Sequence, residues 1–501
     1  MYLAGRDVRI RFVNVRYDET QFRFRVNVLG PPLGMAYLAS LVRAEGHDVK
    51  ILDMEAVRME YDQLPAYLAA ENPDVVGIHG TTPTSKFIAQ CARVARATCP
   101  RAVIVVGGPH ASLLPWDLMR DVPEADYILR GEAEASFPAL IRLLSDGDRT
   151  AGLREIPGIG YRTGDGGVFI SPDLPKTENL EDLPFPAWDL LPLPAYLEGA
   201  YRRSMNIMTS RGCPQACVFS CESVLYGRRF RSRSAKSIVD EMERLLIDHG
   251  VERIHFYDAS FMVDEQRVRA LCDEILKRGL ALPWRARARA DHINRPIIER
   301  MKEAGCTELA IGVEAAAPEL LRALNKNEDV GVIERAFEVL HDCGLWISAY
   351  FMFGAPGETR KQSYETIEFA KRLDPDWALF SHTTPLPGTR LYETHRDQLM
   401  TRDWYDFRLN ANSPVLAYGG MEKAEIQEIL LAAYRSFYVR REWVLNRLKK
   451  AKSQAETAQI IESFFFYIEK TDSVSSPQPM QVSPRLAPEE IELLDSVCAK
   501  R

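Results

Sequence analysis

Short apolar runs alternate along this chain with longer stretches whose apolar residues return every three or four positions, and the alternation occurs as two separate series. The first occupies residues 1 to about 150. Val8 to Val15, Val49 to Leu52, Asp74 to Ile78, Ala102 to Val106 and Tyr127 to Leu129 read as strands. Leu33 to Ala44, Ser85 to Ala97 and Glu134 to Leu144 carry apolar residues at helical spacing. The valine-rich run Ala102 to Val106 has the look of a parallel strand buried on both faces. Strand–helix alternation of this kind predicts βαβ units and a doubly wound parallel sheet, an α/β fold. Such sheets bind ligands beyond the carboxyl ends of their strands.

The second series runs from about 205 to 400. Met205 to Met208, Arg253 to Tyr257, Trp284 to Arg289, Glu308 to Val313, Trp346 to Phe353 and Trp377 to Ser381 read as six strands. Helices are expected up to His249 (capped by Ser234 and stopped by Gly250), from Glu265 to Arg278, from Arg295 to Ala304, around Val330 to Cys343 and from Arg360 to Leu373. In Trp284 to Arg289 the arginines at 285, 287 and 289 share one face, opposite Ala286 and Ala288. Between the series, residues 151–204 are proline-rich and read as a spacer, with a hairpin from Gly158 to Ser171. After residue 400 the pattern turns mainly helical. Lys423 to Lys450 carries Tyr434, Phe437, Tyr438 and Trp443. Thr457 to Glu469 carries Phe464 to Tyr467, and both aromatic stripes read as core. Ser473 to Pro484 reads as mobile and Pro488 to Ala499 as a last short helix.

With 501 residues the chain exceeds one core, so two or three domains are expected. Apolar content of 46% and charged content of 27% are those of a soluble globular protein. The formal net charge of −7 argues against a nucleic-acid or anionic-membrane surface. Met1 to Phe12 does not read as a signal peptide, and no apolar run approaches the ~20 residues of a membrane span. Nine cysteines, mostly scattered singly, suggest a reducing cytoplasm. Cys91, Cys99, Cys272, Cys306, Cys343 and Cys498 are expected to be packed or spare thiols.

Chemistry concentrates in Arg211-Gly212-Cys213-Pro214-Gln215-Ala216-Cys217-Val218-Phe219-Ser220-Cys221. The Gly-Cys-Pro opening is a poor helix interior, so Cys213, Cys217 and Cys221 are expected on one loop after a strand. Three thiols with no fourth Cys or His nearby leave a coordination position open. Structural zinc takes four protein ligands, so this set suits an iron–sulfur cluster with one iron unfilled.

This stretch resembles that of the radical S-adenosylmethionine (SAM) superfamily, which holds a four-iron, four-sulfur (4Fe–4S) cluster by three cysteines while SAM chelates the fourth iron. The family leaves three residues between the first pair and two between the second. Here both gaps are three, so the family's third cysteine falls at Ser220 and Cys221 comes one place later. One residue shifts a thiol by up to ~3.5 Å along an extended chain, which a loop absorbs with a bulge. Arg289-Ala290-Asp291, Gly312-Val313-Glu314, Gly354-Ala355-Pro356-Gly357-Glu358 and Thr384-Pro385-Leu386-Pro387-Gly388-Thr389 follow in the family's order, and the last of these reads as structural. The resemblance implies a partial, six-stranded (β/α)6 barrel working at its strand C-termini. It also implies SAM contacts: Asp258 and the backbone beside Ala259 to the ammonium, Arg289 or Arg287 to the carboxylate, Glu314 to the ribose, and Phe219 near the adenine. A salt bridge inside the barrel is the alternative role for Arg287.

Three loops of the first series, Gly77 to Thr84, Gly107 to Ala111 and Arg130 to Glu134, together resemble those of the cobalamin-binding domain that precedes the barrel in one large radical SAM subfamily. Pro31-Pro32-Leu33-Gly34 matches its N-terminal pattern. The resemblance implies a flavodoxin- or Rossmann-like domain, with Leu33, Thr81, Thr82, Thr84, Gly107, Gly108, Pro109, His110, Gly131 and Glu132 at the cobalamin. The Asp-x-His-x-x-Gly stretch that supplies a cobalt ligand in classical cobalamin mutases is absent. His79 and His110 therefore read as polar loop residues, and the resemblance implies cobalamin without a histidine axial ligand.

The implied activity is a cobalamin-dependent radical SAM methyltransferase. SAM is cleaved to a 5′-deoxyadenosyl radical, which takes hydrogen from an unactivated carbon of a small-molecule substrate; methylcobalamin supplies the methyl group. An electron donor such as flavodoxin or ferredoxin is implied. The alternatives are a non-methylating relative, such as the ring-forming cyclase of anaerobic bacteriochlorophyll synthesis, and a non-catalytic cobalamin-binding protein whose cluster site has lapsed.

Overall fold

The computed structural model describes residues 7–16, 30–146, 152–172, 174–197, 203–408, 414–418 and 420–450. The helices expected at Thr457 to Glu469 and Pro488 to Ala499, the stretch Ser473 to Pro484 and Cys498 lie outside these residues.

The first series folds into a sheet of β1 (Arg9–Asn14), β2 (Asp48–Asp53), β3 (Val75–His79), β4 (Val103–Gly107), β5 (Tyr127–Leu129), β6 (Ile159–Arg162) and β7 (Val168–Ile170), in the order β2-β1-β3-β4-β5-β6-β7. The first five strands of this series pair in parallel. The hairpin β6–β7 then pairs antiparallel with β5, so part of the proline-rich stretch extends the sheet rather than spacing it. Residues alternate between two cores. Ile10 and Phe12 of β1 pack on one face and Val13 on the other, with Val76, Ile78 and Ile104.

Next comes β8 (Ser204–Ile207), followed at once by a short antiparallel ribbon of β9 (Ser210–Arg211) and β10 (Arg231–Ser232). Then β11 (Arg253–Phe256), β12 (Trp284–Ala288), β13 (Cys306–Glu314), β14 (Trp346–Phe353) and β15 (Trp377–His382) join β8 in an all-parallel sheet ordered β15-β14-β13-β12-β11-β8. The helices between them start on local signals. Ser234, Asp264, Asn294, Asp329 and Thr359 each accept a backbone N–H from the first turn.

A six-stranded barrel does not close, and its edge strand would leave backbone groups bare. Helix Lys423–Tyr438 covers β15. Its Tyr438 hydroxyl accepts from Ala378 N (2.9 Å) and donates to Ala378 O (2.7 Å). Tyr434 repeats this at Phe380, 3.3 Å from N and 2.8 Å from O. The helix expected over Lys423 to Lys450 is two, Lys423–Tyr438 and Arg441–Lys450. At the break Arg440 turns its guanidinium onto the carbonyls of Phe437 and Lys371, a tertiary interaction with no sequence signal.

Candidate functional site

The cysteine loop leaves β9 through Gly212, where φ is +87° and a Cβ would lie 2.1 Å from Arg229 O, so only glycine fits. Four bonds pin the loop to the barrel mouth. Cys213 N donates to Gly227 O (3.0 Å), Val218 N to Leu324 O (3.1 Å), Leu391 N to Val218 O (2.9 Å) and Asn325 Nδ2 to Ala216 O (2.6 Å). Cys213, Cys217 and Cys221 are free and half-buried, whereas Cys91, Cys99, Cys272, Cys306 and Cys343 are buried, as expected of packed thiols. Cys221 precedes the short helix Glu222–Leu225, and its carbonyl accepts the Val224 and Leu225 N–H groups. Burial pushes the Cys213 and Cys217 thiols up, while Lys326 and Arg289 pull them back toward the thiolate. Burial and the Glu222 carboxyl push Cys221 up to about 11.

Around the loop stands a charged cluster at the C-terminal ends of β12 and β13. Lys326 Nζ lies 3.3 Å from Glu314 Oε1 and 3.4 Å from Glu328 Oε2. Arg289 holds Asp291 in a fork, at 3.0 and 2.9 Å, and also bonds Lys326 O. Glu314 ends β13 beyond a register shift, with φ of +70°. Such a conformation in a non-glycine residue costs about 1–3 kcal/mol and gathers at functional sites. Burial raises the Glu314 carboxyl despite Lys326.

Of the residues expected at SAM, Ala259, Phe219, Arg287, Arg289 and Glu314 lie at the strand ends or on the cysteine loop itself. Two are spoken for. Asp258 accepts Thr209 N (2.7 Å), Ser210 N (3.0 Å), the Thr209 hydroxyl and Arg267 (3.4 Å), so its oxygens hold the start of the cysteine loop rather than a ligand. The Arg289 fork already grips Asp291. Among the described residues Arg287 makes no carboxylate bridge; its guanidinium lies over the Tyr257 ring at 4.4 Å, and Arg285 takes the barrel salt bridge instead, to Glu308. The Ser260 and Thr383 hydroxyls at the same mouth are buried without a protein partner.

On the other side, the C-terminal edge of the first sheet opens into a cavity. Gly107, Gly108, Pro109, Gly131 and Glu132 line it, together with Gly34, Gly77 and His79. Its opposite wall is Met208, Arg211, Leu225 and Tyr226, which flank or belong to the cysteine loop. Leu33, Thr81, Thr82, Thr84 and His110 are not in this lining. Thr81 and Thr84 close a turn on each other, and His110 is buried beside Thr82 and the Trp404 ring. Gly131 admits the Pro175 carbonyl, which a Cβ would meet at 2.8 Å.

Glu132 lines the cavity, but its carboxylate is a clamp between the end of the first sheet and the ribbon β9–β10. It accepts Arg231 Nη1 (2.9 Å) and Nη2 (2.6 Å), Arg211 Nη1 (2.8 Å) and Thr177 N (2.8 Å). Arg211 reaches Glu134 as well, at 2.6 Å. Burial raises the Glu132 carboxyl, yet Arg231 and Arg211 overcome this and hold it below the usual range. Arg211, Arg231, Lys326 and Glu222 carried no site expectation; the one signal was Arg211, adjoining Gly212-Cys213-Pro214.

Family models match in the same order, the B12 binding domain over residues 23–141 and the radical SAM superfamily over 207–370. An uncharacterized methyltransferase of Pyrococcus horikoshii is 35% identical over 424 residues, 84% of this chain and 91% of that protein. This chain belongs to the B12-dependent radical SAM enzymes. The anaerobic magnesium-protoporphyrin IX monomethyl ester cyclase of Rubrivivax gelatinosus is 28% identical, covering 89% of this chain and 80% of that one. In fold, the chain matches the cobalamin-dependent radical enzyme OxsB (TM-score 0.72, 17% identity, 99% of this chain and 75% of that one). It also matches the methyltransferase TsrM of Kitasatospora setae (TM-score 0.67, 20% identity, 93% and 100%).

Cobalamin, SAM and a 4Fe–4S cluster are the cofactors of the B12-dependent radical SAM enzymes. The residues present fit all three. Among the described residues no three metal-ligating side chains converge on one ion. A cube asks instead for one thiolate per iron, and three free half-buried thiols meet that need. The unpartnered Ser260 and Thr383 hydroxyls offer polar contacts at the barrel mouth. At Gly34 and Gly107 a Cβ would meet nothing closer than 3.8 Å, so backbone there is open to a large flat ligand. No described helix is long and apolar enough to cross a membrane.

Proposed function

We propose that the chain is a cobalamin-dependent radical SAM methyltransferase that acts on an unactivated carbon of a small molecule in the cytoplasm, with a flavodoxin- or ferredoxin-type electron donor. The observation that carries this is the shared wall: Met208, Arg211, Leu225 and Tyr226 face the first sheet's cavity and flank or adjoin the loop that bears Cys213, Cys217 and Cys221. Cavity and cluster loop are therefore neighbours across a few side chains.

In this reading Cys213, Cys217 and Cys221 hold the cluster. Arg287, Glu314, Phe219 and the backbone at Ala259 contact SAM, and Gly107, Gly108, Pro109 and Gly131 lie along the cobalamin. When bound, these groups supply a carbon-centred radical and a transferable methyl group. The chain's own task is to place and insulate them. Asp258 fixes the approach to the cysteine loop by taking two backbone N–H groups. Lys326 and Arg289 lay positive charge beside Cys213 and Cys217, where thiolates are needed. Arg287, half-buried over the Tyr257 ring and without a carboxylate bridge among the described residues, is the cation placed to meet a carboxylate. The Glu132 clamp sets the distance between the two halves, and hydrogen abstraction tolerates only ~3–4 Å.

The test is an anaerobic reaction with a reductant, SAM and candidate substrates, followed by product mass. Formation of 5′-deoxyadenosine with a gain of one methylene unit supports the reading. Loss of hydrogen or ring closure assigns the chain to the cyclase chemistry of its Rubrivivax relative instead. No 5′-deoxyadenosine from a cobalamin-loaded protein refutes both.

A further inference from the structure

We propose that His79 is an axial ligand of the cobalt, its Nε2 binding the metal from the side of the first sheet. This rests on the cavity being the cobalamin site. His79 ends β3 and is the only one of the chain's nine histidines in the cavity lining, and all nine are among the described residues.

The tautomer follows from its neighbours. Asp53 is 1% exposed, and its carboxylate accepts from Glu55 N (3.1 Å), Ala56 N (3.2 Å), the Tyr196 hydroxyl (2.5 Å) and Asn14 Nδ2 (3.0 Å). An acceptor-only carboxylate obliges Asn14 to turn its NH2 toward Asp53 and its Oδ1 toward His79. Nδ1 of His79 lies 3.0 Å from that oxygen and must donate. The proton sits on Nδ1, and Nε2 keeps its lone pair. No described residue makes a hydrogen bond to Nε2. Imidazoles that bind metals are oriented in this way, by an acceptor behind the other ring nitrogen.

Room for the ring is built in. Gly108 has φ of +99°, and a Cβ there would lie 2.7 Å from His79 Cδ2 and 3.0 Å from Nε2. On the opposite wall the Met208 sulfur already takes Arg211 Nε at 3.3 Å. The Asp-x-His-x-x-Gly motif is absent from the sequence, but the end of β3 delivers an imidazole in its stead. Ligated from the sheet side, the cobalt keeps its other face toward the cysteine loop.

The test uses the full wild-type chain, made once with ordinary and once with 15N-histidine and loaded anaerobically with natural-abundance cobalamin. Absorbance first establishes that cobalamin is bound, and the cobalt is then reduced to Co(II) for EPR. An axial 14N splits each high-field cobalt line into three, and 15N splits it into two. The expected result is triplets that become doublets on labelling. Triplets that persist assign the nitrogen to cobalamin's own base and overturn the proposal, as does the absence of nitrogen splitting. A protein that binds no cobalamin removes the cavity assignment and the ligand with it.

Discussion

Replacing Glu132 by glutamine tests whether the two halves are held in register by charge. The change conserves shape but removes the negative charge shared by Arg211 and Arg231, both of which are buried, and turns an NH2 toward guanidinium donors. Breaking a buried pair by neutralising one partner costs about 3–5 kcal/mol, because the other charge stays buried and uncompensated. Glu134 still partners Arg211, so most of the loss falls on Arg231. Urea unfolding followed by tryptophan fluorescence reads the stability. The variant should lose about 3–5 kcal/mol, and Arg231→Met in the same chain should return part of it, since the double variant strands no charge there. The sign with pH follows from the lowered Glu132 carboxyl. Its contribution is complete above the ordinary value of 4.5 and is lost as pH falls through the lowered one, so wild type and variant should converge in acid. Bound iron should not change, because the cysteine loop is pinned to Leu324 and Asn325 of the barrel, whereas cobalamin retention should fall. A loss below about 1 kcal/mol, the range of exposed pairs, or strict additivity of the two substitutions would refute the clamp.

Gly108→Ala should abolish cobalamin retention in a folded protein, since the new methyl meets the His79 ring at 2.7 Å and Gly80 O at 2.8 Å; cobalamin absorbance after gel filtration checks it, and full retention contradicts it. Tyr438→Phe strips partners from Ala378 N and O on the barrel's edge strand, at about 1–3 kcal/mol for each buried group left unpaired, and an unchanged urea midpoint would show that the edge is covered by other means. Asp258→Asn puts an amide NH2 where Arg267 and the Thr209 hydroxyl now donate; bound iron should drop, and stability should fall by about 1.5–3 kcal/mol, the worth of a bond to a charged group. Iron at the wild-type level would return Asp258 to the role of a plain SAM contact.

What could be read from the sequence was what is local. Helix Leu33–Ala44, the stop at Gly250, the cap at Ser234 and all six barrel strands depend on residues within a turn or two, and they stand where the pattern put them. The cysteine loop was legible for the same reason. Partnerships across the fold were not. Glu132 reads as a polar residue in a glycine loop, but it is neutralised by arginines 79 and 99 positions away. Asp258 reads as a free carboxylate at a strand end, although the backbone N–H groups it accepts lie 49 and 48 positions earlier. His79 and His110 look alike in sequence, yet one faces the cavity and the other packs beside Thr82 and Trp404. A one-dimensional pattern marks where polar groups gather at strand ends, but three-dimensional pairing decides which remain free for a ligand.

Three thiolates on one loop would hold a four-iron cube whose fourth iron is left for SAM. The most direct measurement is EPR of the anaerobically reconstituted, dithionite-reduced chain, with and without SAM, beside the Cys221→Ala variant. About four irons per chain are expected, with a reduced-cluster signal that shifts when SAM is added and is lost in the variant. A cluster signal indifferent to SAM, or one that survives in Cys221→Ala, would contradict this.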